Sequence, residues 1–353
     1  MAQELLLAEG DVQEEFFERG WTDGLPVVPP TPDRVQAMLD YAGVGAAEIV
    51  GNVPERSREV TAEKAAINAV MAGCRPEYFP VVLAGLSAMF DPQFGCHTVV
   101  TSTGGAALCA VVSGPLVAEL GFNTGRNALG PGYRANATVG RALRLVAMNV
   151  LGARSDTLDG SSLGHPGKFT MLVAEEPPPE GWPPLRVELG YGDNDTTVTM
   201  FPSESPHQVA NHLNGDPEGI LLTFASAMTG PATYAVAKKH QVLLVIGHEH
   251  RQILAEAGWT KPMVREFLAE HTRVTPEHLA AGGVLLEFTA QNDMTPDADG
   301  KLNTVRGPHD IFLVTAGSAG AGWSAYIPNW APTVHSVAVT RKVAAPGDGL
   351  PLA

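Results

Sequence analysis

Apolar positions recur at helical spacing over Asp11 to Arg19, Pro32 to Tyr41, Ala65 to Ala72, Pro76 to Phe90 and Asn136 to Leu151. The flanking residues mark the ends: Pro32 and Asp33 suit a first helical turn, Thr61 is placed to cap the third helix, and Gly20 and Gly73 close the first and third. Asn136 to Leu151 is the clearest helix, with Val139, Leu143, Val146 and Val150 on one face and Arg141 and Arg144 beside it. Cys96 to Val112 reads as two strands around Gly104-Gly105, a hairpin, and Phe169 to Ala174 as a buried strand.

In the second half, strands are expected over Leu185 to Tyr191, Thr196 to Phe201, Gln241 to Ile246, Val284 to Thr289, Ile311 to Ala316 and Ser336 to Val343. Helices are expected over His207 to Leu213, Ile220 to Met228, His250 to Ala257 and Pro262 to Thr272. Strands and helices mixed in this way imply an α/β or α+β fold, mixed sheets with flanking helices, in two closely packed domains. The five prolines between Glu175 and Pro184 place the boundary, giving a domain at 1–176 and another at 185–353. No internal repeat of fixed period is present in the sequence.

Composition narrows the function. Hydrophobic content of 44% with 17% charged residues describes a globular chain rather than a disordered one. A net charge of −15 disfavours nucleic acid as a partner, and no apolar run approaches the roughly 20 residues a membrane-spanning helix needs. Three cysteines, Cys74, Cys96 and Cys109, show no CxxC spacing, and the N-terminus lacks a signal-peptide pattern; both point to a reducing, cytoplasmic location.

One segment runs against the overall charge. Between Cys96 and Lys168 there are six basic and three acidic residues, with glycines and asparagines exposing backbone N–H groups that suit an anion. Arg126 and Arg134, in glycine-rich sequence, are the expected substrate anchors, because guanidinium groups bind carboxylate and phosphate in bidentate fashion. Arg141 and Arg144 can equally lie along a helix flank. The loop Ser161 to Lys168 presents His165 and Lys168 for proton transfer. Cys74, between Gly73 and the helix starting at Pro76, is placed for a lowered thiol pKa at a helix N-terminus.

His248 and His250 follow a strand; in extended conformation they share a side, as ligands of a divalent transition metal can, with His97, His165, Asp310 and His335 as further candidates. Gly317 to Gly322 has the look of a phosphate loop but opens no helix, so close backbone packing or a subunit contact is expected there. Asp297-Ala-Asp-Gly300 reads as a turn.

Four blocks, Gly20 to Pro26, Asn68 to Tyr78, Leu129 to Asn136 and Gly164 to Lys168, together resemble a bacterial family associated with proteins named for a Sec-Gly-Ser-Cys (UGSC) motif. Cys74, Arg134, Asn136, His165 and Lys168 fall within these blocks. The resemblance implies thiol or redox chemistry, yet no paired thiol occurs here, so a redox pair would reside on a partner protein. The expected function is that of a homo-oligomeric enzyme cleaving or hydrating a bond in a small anionic substrate. Cys74, His165 and Lys168 would be catalytic and Arg126, Arg134 and Asn136 would bind substrate. The alternatives are a metal-dependent hydrolase using His248 and His250, and a non-catalytic substrate-binding subunit of a redox complex.

Overall fold

A computed structural model describes residues 12–155, 157–230, 239–281, 295–330 and 336–351. The helical periodicity of the first third is realised as α1 (Val12–Glu18), α2 (Pro32–Ala42), α3 (Ala62–Ala72), α4 (Phe79–Met89) and α5 (Cys96–Thr101), with a hairpin of β1 (Ile49–Val53) and β2 (Arg58–Thr61) before α3. Thr61 caps α3, its hydroxyl accepting the Lys64 N–H at 3.3 Å, and Gly73 closes it at φ 93°. Thr61→Ala is expected to lower stability by about 1 kcal/mol in urea denaturation, the usual cost of an orphaned helix N–H.

Next come β3 (Ala107–Ser113), α6 (Leu116–Glu119), α7 (Arg134–Asn149), β4 (Leu172–Ala174), α8 (Leu185–Glu188), β5 (Thr197–Ser203) and β6 (His207–Ala210). The rest is α9 (Pro217–Met228), β7 (Val242–Ile246), α10 (His248–Glu256), α11 (Lys261–His271), β8 (Arg273–Val274), α12 (Pro276–Ala281), β9 (Leu302–Asn303), β10 (Ile311–Thr315), β11 (Trp323–Pro328) and β12 (Val339–Lys342).

Three expected elements change type. Cys96 to Thr101 is a helix and not the first strand of a hairpin: Thr101 Oγ donates back to the His97 carbonyl at 2.8 Å while Val99 and Val100 bury against the core. Leu185 to Tyr191 opens as the helical turn α8, because Pro184 presets its start and the buried Glu175 carboxylate accepts the Leu185 N–H at 3.0 Å. His207 to Ala210 is a strand rather than a helix, since β11 offers it an antiparallel edge. The strand expected at Val284 to Thr289 lies outside the described residues.

Two four-stranded mixed sheets form the centre, in the orders β4-β3-β5-β12 and β10-β7-β11-β6. Each contains one parallel pair joined through helices (β3 with β4, β7 with β10), then two antiparallel neighbours. The registers correspond as well. Ala110 faces Leu172 and Met200 in one sheet as Leu244 faces Leu313 and Tyr326 in the other, and Met200 faces Val339 as Tyr326 faces His207. The chain therefore repeats one topology twice, with unequal spacing between equivalent strands. The fourth strand of each sheet is exchanged: β6 follows β5 but joins the β11 sheet, and β12 follows β11 but joins the β5 sheet. At the crossing, the Glu204 N–H donates to the Pro328 carbonyl at 2.9 Å and the Trp330 N–H to the Pro202 carbonyl at 3.0 Å.

This exchange revises the division at the proline run. The segments 1–176 and 185–353 do not own separate sheets, because β3 and β4 from the first pair with β5 and β12 from the second. Along β3 the side chains alternate: Leu108, Ala110 and Val112 face a core shared with α3, α4 and α7, while Ala107, Cys109 and Val111 meet Leu243, Val245, Val314 and Ile327 of the opposite sheet. A third cluster packs α9, α10 and α11 on the outer face of the second sheet. The layers run helix, sheet, sheet, helix. No described helix is long and apolar enough to cross a membrane.

Candidate functional site

The loop between α7 and β4 is seated on the turn before β3. The Ser162 N–H donates to the Thr103 carbonyl at 3.0 Å, and Gly160 passes so close to the Thr101 carbonyl that a Cβ would lie 3.1 Å from it. His165 Nδ1 accepts the Gly167 N–H at 3.2 Å, capping the short turn Pro166–Lys168. That turn carries Lys168 back over Asp159.

Asp159 is the centre of the arrangement. Lys168 Nζ lies 2.7 Å from its Oδ1 and 2.6 Å from its Oδ2, and Arg144, projecting from α7, reaches Oδ2 at 2.6 Å. Ser161 donates its backbone N–H to Oδ1 at 3.2 Å, and its hydroxyl also contacts Oδ1. The same hydroxyl accepts from Lys168 Nζ and lies 3.2 Å from the Ser102 carbonyl. Two cations thus share one carboxylate, leaving one surplus positive charge in a molecule whose net charge is −15.

The protonation states follow from this environment. Burial alone would raise the Asp159 carboxyl, but hydrogen bonds from Lys168 and Ser161 and the charge of Arg144 hold it at about 2. Burial depresses the Lys168 ammonium; Asp159 opposes this and Arg144 adds to it, and the net direction is downward. Burial and the charge of Lys168 lower His165. Its neutral ring accepts at Nδ1, so the proton sits on Nε2. His165 is placed to hold the turn that presents Lys168.

The remaining expected residues lie elsewhere. Arg134 starts α7 and donates Nε to the Gly73 carbonyl at 2.9 Å, and it is about 15 Å of helix rise from Arg144. Arg126 is exposed in the preceding loop, where its carbonyl accepts from Asn123 at 2.9 Å. The Asn136 amide is spent on Asn123, accepting its N–H at 2.7 Å and donating to its carbonyl at 3.0 Å, which braces the loop.

Cys74 departs from expectation. It is buried, and burial pushes its thiol up to about 12 against the opposing pull of the Thr138 hydrogen bond and the Arg134 charge. The turn Pro76–Tyr78 leads straight into α4, so the expected helix is present, but burial outweighs any lowering from its N-terminus. Cys96 and Cys109 are likewise buried, with burial pushing both thiols to about 12. Native protein treated with iodoacetamide at pH 8 is therefore expected to stay unalkylated by mass spectrometry, while urea-unfolded protein takes up one group per cysteine.

His248 and His250 also change setting. Both lie in the first turn of α10 and not in extended chain, so two residues of helix turn them about 200° apart. Both ring nitrogens of the buried His250 are engaged, Nδ1 with Ser324 Oγ at 2.7 Å and Nε2 with the Asn211 carbonyl at 3.0 Å. His248 Nδ1 faces Arg251 at 2.9 Å. Among the described residues no group of three or more His, Cys, Asp and Glu side chains converges as a metal site; His335 lies outside them.

The two glycine-containing turns behave as backbone structure. Gly317 donates to the Thr124 carbonyl at 2.7 Å and Gly320 to Glu249 Oε1 at 2.6 Å. Asp297 Oδ1 accepts the N–H groups of Asp299 and Lys301, each at 2.9 Å.

A cavity of about 1390 Å³ lies between the N-terminal arm, α3 and the β1–β2 hairpin, and no residue of the Asp159 cluster lines it. Three of the four sequence blocks meet near this cavity, on the α3–α7 pair. Arg141 clasps Asp23 at 2.6 Å, Asn149 bridges the Trp21 carbonyl and Asn68, and Arg134 holds Gly73. The fourth block supplies the Lys168 turn. Compared with protein families and with curated proteins, the chain matches none.

Sequence reasoning found two members of the cluster, His165 and Lys168, and passed over Asp159 and Ser161. The available signal was Asp-Gly-Ser three residues ahead of the His-Pro-Gly-Lys turn, an arrangement that folds an Asp side chain onto the N–H two residues on. Arg144 was ambiguous in sequence, and its role depends on a loop folding over its helix.

Proposed function

We propose that this chain is an enzyme of small-molecule metabolism that cleaves or hydrates a bond in a small anionic substrate at the Asp159 cluster. The reading is carried by one observation, two cations held on a single carboxylate beside a hydroxyl. The surplus charge attracts an anion, and Asp159 and the Ser161 hydroxyl fix the Lys168 ammonium so that little side-chain entropy is lost when it arrives. A cytoplasmic, homo-oligomeric state belongs to the same proposal.

The test is a ligand panel of malonate, succinate, pyruvate and inorganic phosphate. At least one is expected to raise the thermal midpoint by several degrees at about 100 times its Kd, equivalent to about 2.7 kcal/mol, and to lose that effect in Lys168→Met. An unchanged midpoint with every anion, or full stabilisation of Lys168→Met, would overturn the reading.

A further inference from the structure

We propose that Ser161 is a covalent nucleophile with Lys168 as its base, which makes the centre a hydrolase of esters or amides that carry an anionic group. The inference rests on the anion-binding reading of the same centre and adds to it the reacting atom and the substrate class.

The argument begins with the number of groups on one hydroxyl. Ser161 Oγ accepts from Lys168 Nζ, and its single proton has two other acceptors in reach, Asp159 Oδ1 and the Ser102 carbonyl. The oxygen is therefore held in a fixed position by three groups, while its side chain is only half-buried. The neighbouring Ser162 and Leu163 are exposed, Leu163 at 97%, so the loop is open to solvent on that side.

A lysine base must act as a neutral amine, and an ammonium paired to a buried carboxylate ordinarily resists losing its proton. The ammonium form of Lys168 attracts the anion and its neutral form takes the proton, and Arg144 makes the second form accessible. It holds Asp159 Oδ2 at 2.6 Å from a separate element, so the carboxylate keeps a cation when Lys168 is neutral. The usual penalty for leaving a buried carboxylate unpaired is avoided. Burial of Lys168 acts in the same direction.

In the reaction, Ser161 Oγ attacks the carbonyl carbon as its proton passes to the neutral amine of Lys168. The bond to the leaving alcohol or amine breaks, and the Lys168 ammonium returns the proton to that group. Water then attacks the acyl ester, Lys168 accepts its proton, and the carboxylic acid departs as Ser161 recovers its hydrogen from the ammonium. No oxidant or metal is required for the balance.

A fluorophosphonate probe tests the step, because serine attack at phosphorus expels fluoride and leaves a stable adduct. Native protein is expected to carry the adduct on the Ser161 peptide, and Ser161→Ala to carry none. Lys168→Arg keeps the charge but cannot serve as a base near neutral pH, so labelling is expected to slow by at least about 100-fold while the anion that stabilises the native protein still raises the thermal midpoint. If that variant fails to fold, Ser161→Cys carries the test: its thiol beside Lys168 is expected to react with iodoacetamide at pH 7 well above the rate of free cysteine.

No adduct, an adduct on Ser102 or Ser162, native-rate labelling of Lys168→Arg, or an unreactive Ser161→Cys would overturn the inference. Any of these with stabilisation by an anion of the panel intact leaves the anion-binding reading standing. An unchanged midpoint of the native protein with every anion of the panel removes the reading beneath it.

Discussion

Lys261→Met is expected to destabilise the protein by about 3–5 kcal/mol, measured by urea denaturation at pH 7, the cost of removing one partner from a buried ion pair. Lys261 is fully buried, and its ammonium lies 2.9 Å from Glu188 Oε2 and from the Leu313 carbonyl and 3.8 Å from Glu175 Oε1. Glu188 retains Arg265, which reaches both its oxygens at 2.6 and 2.9 Å, so its charge stays balanced in the variant. Glu175 does not.

Burial already raises the Glu175 carboxyl, and Lys261 is the foremost group holding it down. Without the lysine that carboxyl rises further. A raised folded-state pKa gives stability that is present below the unfolded value and lost as pH rises through the folded one, so the defect should be smallest at low pH. Glu175→Gln in the Lys261→Met background is expected to recover most of the loss at pH 7, because it removes the uncompensated charge. Failure of that rescue would place the cost in packing.

Asp159→Asn is expected to cost about 3 kcal/mol at pH 7 and, on the proposed function, to abolish turnover of the anionic substrate. An amide leaves Arg144 and Lys168 facing each other across the loop with their side chains 9% and 14% exposed, and no carboxylate between them. The pH dependence separates this effect from simple disruption. Asp159 is held at about 2 against an ordinary 3.8, a depressed value, so its stabilisation is present above about pH 4 and is lost as pH falls towards 2. Denaturation curves of the native protein between pH 4 and pH 2 should show that loss, and the variant should lack this component of it.

The shared charge on Asp159 also explains why the sequence-level picture of the site was partly displaced. Arg126 and Arg134 stand in glycine-rich sequence, which suggests a loop facing a ligand, but Arg126 is an exposed loop residue and Arg134 opens α7 and clasps the Gly73 carbonyl. Asn136 looked available for a ligand because nothing in the sequence shows that Asn123 folds back against it. His248 and His250 lost their common side once Gly247 proved to be the helix N-cap, beginning α10 directly at His248.

Local sequence determined much of the scaffold. The periodic face of Val139, Leu143 and Val146, the Thr61 cap and the turn glycine at 73 are patterns among residues a few positions apart, so the elements they mark can be read before the partners they pack against are known. The loop holding His165 and Lys168 was legible for the same reason. The tertiary structure alone decided which groups meet and how deeply they are buried. β6 became a strand because β11 stood beside it, the repeated topology was hidden by unequal spacing and exchanged edge strands, and Cys74 was silenced by burial. Arg144 joined Asp159 across a folded loop. Pairing and desolvation depend on residues distant in the chain, and the strength of a charge or a hydrogen bond is set by what excludes water around it.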